Sequence, residues 1–168
     1  MDTTMSSLNV ASPDCAEPFY RGRLARCRNL QRAGSLAELR EILDRRVADV
    51  ADVADVAASP ATLDLIGHST RDHHLLRLGA TPIDMLDRQV ARFFSALAED
   101  QLLPRQQIVA VRLLGCETAV TDGGQRTLRM LAHTLNLPVY GTSVRLLKSH
   151  SNADGFNPAF SHILVEAS

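Results

Sequence analysis

Two side chains with the chemistry of a base and a nucleophile stand at matching places in this sequence. His68 follows the glycine that closes the run Ala61-Thr62-Leu63-Asp64-Leu65-Ile66-Gly67, and Cys116 follows the glycine that closes Ile108-Val109-Ala110-Val111-Arg112-Leu113-Leu114-Gly115. Both runs read as buried strands, the second being the most strongly β-like stretch of the chain. In open α/β sheets ligands gather outside the carboxyl ends of the strands. If these two strands are adjacent and parallel, imidazole and thiol therefore emerge at one edge. A thiol beside an imidazole is a nucleophile at neutral pH, because the neighbouring base takes its proton. Read singly, Cys116 is a small hydrophobe at a strand end and His68 a loop histidine with ordinary partners. The equivalence of their positions is what makes them a candidate dyad.

The elements that must hold them follow from spacing. Residues 1 to about 18 mix Ser, Thr, Pro, Asp and Ala without periodicity and read as a loose leader. Arg21, Arg23, Arg26, Arg28 and Arg32 come next and read as the solvated face of a helix, with an anion or partner site as the other reading. Ser35-Leu36-Ala37-Glu38 has capping-box spacing, and Leu36, Leu39, Leu43 and Val47 recur at helical intervals, so a helix is expected from Leu36 to about Ala57. Its end carries a Val-Ala-Asp repeat from Val47 to Asp55, too short for a solenoid. Ser59-Pro60 stops it. His74 to Leu78 suggests a short strand; Thr81-Pro82 is expected to open a helix with the stripe Ile83, Leu86, Val90, Phe93 or Phe94, and Leu97, ending near Pro104. Asp122-Gly123-Gly124 reads as a turn before a helix through Leu128, Leu131 and Leu135 that ends at Asn136. Two more strands are expected at Val139–Val144 and His162–Val165. Alternating strands and helices imply an α/β fold with a mostly parallel sheet.

The chain has 168 residues, 45% of them hydrophobic, with 18 basic and 19 acidic side chains, which is enough apolar surface for a core and too balanced a charge for a disordered chain. At about 150 residues roughly 70% of the unfolded surface is buried, so neither disulfides nor a structural metal is needed. Three cysteines, an odd number, suit a reducing compartment. No basic start with a following apolar run marks a secretory signal, and no apolar stretch reaches about 18 residues, so a cytoplasmic protein without a membrane span is expected. The net charge of −1 lacks the basic field of a general nucleic-acid binder. Arginine supplies all the basic residues except Lys148, a skew that fits a GC-rich bacterial genome and carries no functional weight.

Leu113-Leu114-Gly115-Cys116-Glu117-Thr118-Ala119 resembles the small-Cys-Glu-Thr-Ala nucleophile motif of the CHAT peptidases, which belong with caspases, separases, gingipains and toxin autoprocessing domains in clan CD. Leu65-Ile66-Gly67-His68-Ser69 is similar to the histidine motif of that clan. The two lie 48 residues apart, close to the roughly 50 of caspases. Gly124-Gln125 through Leu131-Ala132, then Val139-Tyr140-Gly141-Thr142-Ser143, resemble the helix and strand that follow. The resemblance covers about residues 61 to 145. It implies a caspase-like three-layer sandwich, a mostly parallel sheet with helices on both faces, over residues 59–168, with residues 1–58 as prodomain, cover or partner-binding arm. It also implies a cysteine endopeptidase without cofactor or metal, acting on a protein or peptide through an acyl-enzyme. His68 would be general base and acid, Cys116 the nucleophile, and the oxyanion would be held by the backbone N–H of Cys116 and one near Ser69. Gly67, Ser69, Gly115 and Glu117 are expected to border the oxyanion and substrate. The family usually has glycine directly after the histidine, where this chain has Ser69.

The resemblance also implies that specificity is set partly by the loop after the strand that follows the nucleophile helix. Arg145 or Lys148 there would pair with an acidic substrate side chain, Asp154 with a basic one, with a lean to acidic; ordinary surface charges are the other reading. Cys15 and Cys27 read as incidental, away from any strand end. Three rivals stand beside the peptidase. One is an inactive caspase-like interaction or regulatory module with a protein partner. Another is a serine hydrolase on Ser69, weakened by Arg71 where a nucleophile elbow needs a small residue. The last is a zinc site from His68, His73, His74 and Cys116, which lacks the tight structural spacings. The start of the helix at Asp122 could also bind an anion, but it lacks the pattern of a phosphate loop.

Overall fold

The computed structural model describes residues 5–15, 27, 29–51 and 59–168. β3 (Ala61–Ile66) is buried along its whole length and β6 (Ile108–Leu114) along most of its own, as befits runs covered on both faces. The two are adjacent and parallel, with Ile66 opposite Leu114. On the other side of β3 runs β1 (Ser6–Ala11), parallel, with Ala11 opposite Ile66. Beyond it β2 (Leu30–Arg32) forms a parallel edge. Past β6 lie β7 (Val139–Thr142), parallel, and β10 (Leu164–Glu166), antiparallel to β7. β4 (Arg77–Leu78) and β5 (Thr81–Pro82) form one small hairpin, β8 (Ser151–Asn152) and β9 (Gly155–Phe156) another. The six-stranded order is β10-β7-β6-β3-β1-β2. The chain winds outward in one direction from β1 and in the other from β3, so the gap between their carboxyl ends is a topological switch point.

Strand alternation sends two different sets of side chains to the two faces. Leu8, Val10, Leu63, Leu65, Val111 and Leu113 meet three helices: α1 (Leu36–Ala51) through Leu39 and Leu43, α2 (Arg88–Glu99) through Val90, Phe94 and Leu97, and α3 (Asp122–Leu135) through Leu128, Leu131 and Leu135. The opposite face carries a smaller cluster at its carboxyl end, in which Ala11, Ile66 and Leu114 pack with Cys15, Leu146, Phe156 and Ile163. Hairpin β8–β9 and the 3₁₀ turns Lys148–His150 and Pro158–Ile163 supply that cover. The expectation of helices on both faces is thus met by α-helices on one face only, among the described residues.

Several expectations are corrected. The loose leader contains β1, an interior strand; Leu8 and Val10 alone face the helices while Ser7 and Asn9 point to the other side, so its apolar alternation is only two residues deep. One sheet consequently takes strands from both sides of the boundary at residue 58. Arg32 lies exposed on β2, not on a helix; Arg21, Arg23, Arg26 and Arg28 lie outside the described residues. α1 is described to Ala51, and the rest of its expected length, with the end of the repeat, lies outside them. Its cap differs in detail: Ser35 Oγ accepts from Glu38 N–H at 3.2 Å, but Glu38 accepts from Gly34 N–H at 2.6 Å rather than from Ser35. Thr81-Pro82 is β5, and α2 starts at Arg88 because Asp87 accepts from the Gln89 N–H. Gly123 and Gly124 lie inside α3, capped by Thr121; a Cβ on Gly124 would sit 2.3 Å from the Thr118 carbonyl oxygen, so close packing explains the glycine where a turn was expected. The last strand starts at Leu164 because Pro158–Ile163 is a 3₁₀ turn. Among the described residues no helix is long and apolar enough to cross a membrane.

Candidate active site

Because Ile66 and Leu114 are paired, the residues after them leave the sheet in step. Gly67 follows β3 under the strand segment at Leu76 and Arg77, where a Cβ would lie 2.4 Å from the Arg77 carbonyl oxygen. The chain then doubles back: Arg77 N–H donates to His68 O at 2.9 Å and Thr70 N–H to Leu75 O at 2.8 Å, with Ser69 bridged to Leu76 between them. Those flanking bonds make Ser69 and Leu76 a non-hydrogen-bonded pair, so the Ser69 N–H lies on the side away from Leu76. His68 is fixed by its main chain on this short ribbon.

Cys116 sits on a turn that is held from below. Thr118 Oγ1 donates to Leu113 O at 2.9 Å and accepts from Thr142 N–H at 2.9 Å, while Thr142 Oγ1 donates to Gly115 O at 2.6 Å and accepts from Thr118 N–H at 3.2 Å. Both threonines are buried, so these bonds are not exchanged for water. Glu117 N–H and Ala119 N–H extend the attachment to Val144 O and Thr142 O. Between these anchors Glu117 takes a left-handed backbone, φ 57°, a conformation that costs a non-glycine residue of order 1 kcal/mol or more and persists only where its surroundings enforce it. Ser69 Oγ joins the two segments by donating to Cys116 O at 2.8 Å. His74, also left-handed at φ 52°, brings Nδ1 within 3.1 Å of Glu117 Oε2, both side chains being about one-third exposed.

His68 and Cys116 line one hollow of about 260 Å³, with Ser69, Thr70, His74, Glu117 and Arg145 around it. A second hollow, about 530 Å³, shares the wall His68-Ser69-Thr70 and is otherwise bounded by Asp14, Arg71 and Arg77. The expected group is therefore partly assembled. His68, Ser69, Cys116, Glu117 and Arg145 converge. Gly67 and Gly115 do not line either hollow but serve packing; a Cβ on Gly115 would meet Ser69 Oγ at 2.7 Å and Leu76 Cδ1 at 3.0 Å. Lys148 lies in a 3₁₀ turn, and Asp154 in the β8–β9 turn, where its carbonyl accepts from Asn9 Nδ2 at 3.2 Å; neither lines the two hollows. Cys15 is corrected: it is buried just past the end of β1, in the cluster against which Cys116 packs.

The rival groupings separate. Ser69 Oγ is committed to a carbonyl, His73 packs on Gly123, and His74 faces Glu117. No three His, Cys, Asp or Glu among the described residues are grouped to hold a metal ion. Sequence reasoning missed Thr142, Arg77 and Asp14 as site residues; it named His74 there only in a zinc grouping and Arg71 only as an obstacle to a nucleophile elbow. Thr118 stands within the motif, and its role was open to a reading of side-chain capping; Thr142 comes from the end of β7, Asp14 from the segment after β1, and Arg71, His74 and Arg77 from the folding back of residues 70–77. No protein-family model, curated protein or solved structure matches this chain.

Proposed function

We propose that this chain is a cysteine peptidase of the caspase-like, CHAT type, with Cys116 as nucleophile and His68 as its base. One observation carries the reading: parallel neighbours β3 and β6 end in register, and the two residues that follow their glycines line a single open hollow. Chemistry supports it further. His68 takes the Sγ proton as sulfur attacks the peptide carbonyl, giving a tetrahedral oxyanion. The N–H of Cys116, which has no acceptor among the described residues, and the N–H of Ser69 are its donors. Collapse breaks the C–N bond, and the leaving amine receives the proton from His68. Water, deprotonated by His68, then attacks the thioester and releases the acid with the thiol restored. The Thr118–Thr142 bonds keep the turn from relaxing as charge moves onto and off sulfur.

A mixed peptide library, read by mass spectrometry, tests the proposal. The wild-type chain cleaves a subset of peptides; Cys116→Ala abolishes cleavage, and His68→Ala lowers it by a factor of about 10²–10⁴. Cleavage that survives Cys116→Ala ends the proposal. An inactive interaction module is the second reading, favoured by Ser69 in the place of the family's glycine; a folded wild-type chain with no cleavage at all decides for it.

A further inference from the structure

The β2 edge of the sheet carries a hollow of another kind. Gln31 on β2 is opposite Val10, so strand alternation puts it on the face that bears the helices. Between that edge and the second half of α1 lies a hollow of about 320 Å³, which shares no residue with the two at the carboxyl rim. Ile42, Arg45, Arg46 and Asp49 reach it from one face of α1, at the spacing of side chains stacked on successive turns. Leu8 and Ile42, both buried, give it an apolar part, and Asn29 joins Gln31 on the sheet side. Arg46 Nε is shielded from solvent and has no hydrogen-bond partner. The side chains of Arg45, Asp49, Asn29 and Gln31 likewise form no ion pair or hydrogen bond among the described residues. Earlier on the same helix Arg40 pairs with Asp44 four residues on, at 3.1 Å, and with Asp100. Arg45 and Asp49 have the same spacing and leave their charges open to the hollow.

From this we infer that the hollow binds a small zwitterion, a free amino acid, with its carboxylate on Arg46 and Arg45 and its ammonium on Asp49. A charged donor kept from water without an acceptor is costly, and a ligand that supplies the acceptor removes the cost. A guanidinium offers a planar fork of donors that a carboxylate fills with two hydrogen bonds. The other charge decides the class. A simple anion would meet Asp49 as a like charge, and a simple cation would meet two guanidiniums. A molecule that carries both charges pairs with all three side chains. Asn29 and Gln31 each add an amide donor and acceptor toward the rest of the ligand, and Leu8 and Ile42 an apolar contact. The volume stands at the lower end of the roughly 300–1,000 Å³ of ligand hollows, as suits so small a molecule. Nothing in this site involves Cys116 or His68, so the inference is independent of the peptidase reading.

Calorimetric titration of the full chain with each common amino acid, paralleled by thermal unfolding, tests the inference. At about millimolar concentration one or more of them binds and raises the unfolding temperature. The N-acetyl derivative of that amino acid, which lacks the ammonium, binds about tenfold more weakly. This comparison uses the wild-type chain and so does not depend on the folding of a variant. Arg46→Gln weakens the amino acid by about tenfold, and Asp49→Asn weakens it several-fold while strengthening the N-acetyl derivative. Arg92→Gln, exposed on α2, changes neither. An N-acetyl derivative that binds as tightly as its parent, or inorganic phosphate that binds where no amino acid does, overturns the zwitterion. Amino-acid binding untouched by both Arg46→Gln and Asp49→Asn overturns the site, and so does the absence of any binding.

Discussion

Two polar clusters sit on the same pair of strands and are built to opposite ends. In the middle of the sheet Asp64 on β3 is fully buried and holds Arg112 on β6 through both guanidinium branches, Nε at 2.7 Å and Nη2 at 2.5 Å. Thr62 Oγ1 and Ser7 Oγ close the network, and the Arg112 guanidinium lies 5.2 Å from the centre of the Phe156 ring. At the carboxyl rim, beyond the last strand pair, His68, Cys116, His74 and Glu117 are all partly exposed and border open space. The difference teaches how to sort polar residues in this fold. A buried charge must be satisfied completely, because its desolvation is offset only by full pairing. A rim group can be held through its main chain while its side chain borders open space.

Separating the two clusters by mutation gives effects in a definite order. Asp64→Ala leaves Arg112 without its carboxylate and costs about 3–5 kcal/mol in urea unfolding, while replacing both residues by apolar ones recovers much of that loss. A loss under 1 kcal/mol for the single change contradicts the assigned burial of the pair. Thr142→Val keeps the shape but removes the donor to Gly115 O and the acceptor for Thr118 N–H, a loss of about 1–3 kcal/mol. Peptide cleavage falls more than stability explains, since the turn that carries Cys116 is what loosens. Equal unfolding midpoints for wild type and variant would remove the threonine pair from the account. His74→Ala shifts the unfolding free energy by less than about 1 kcal/mol, because the ion pair with Glu117 is partly exposed and screened. A change of 3 kcal/mol there would erase the contrast between rim and centre.

How much of this the sequence discloses follows the same division. The apolar runs of β3 and β6 and the glycine-then-reactive-residue ending of each are local patterns, so the strands and the two candidate residues were legible. Their adjacency is a long-range fact that the pattern only allows. β1 was hidden because an interior strand with Ser7 and Asn9 on its polar side has the composition of a loop. Thr81-Pro82 misled because proline suits a first helical turn and an edge strand equally, and the choice is made by the Asp87 cap further on. Arg71 and Asp14 reach the site through the β1–β3 switch point and the fold-back after Gly67. Neither arrangement leaves a periodic trace.

The chain carries its own control for the central claim in its three cysteines. A peptide-based electrophile that alkylates thiols through an active-site base, followed by peptide mapping of the intact protein and of His68→Ala, measures whether imidazole and thiol act as one unit. The account predicts fast labelling at Cys116, slow labelling at Cys15 and Cys27, and loss of the fast phase in the variant. Labelling spread evenly over the three cysteines, or a Cys116 rate untouched by removal of His68, contradicts it.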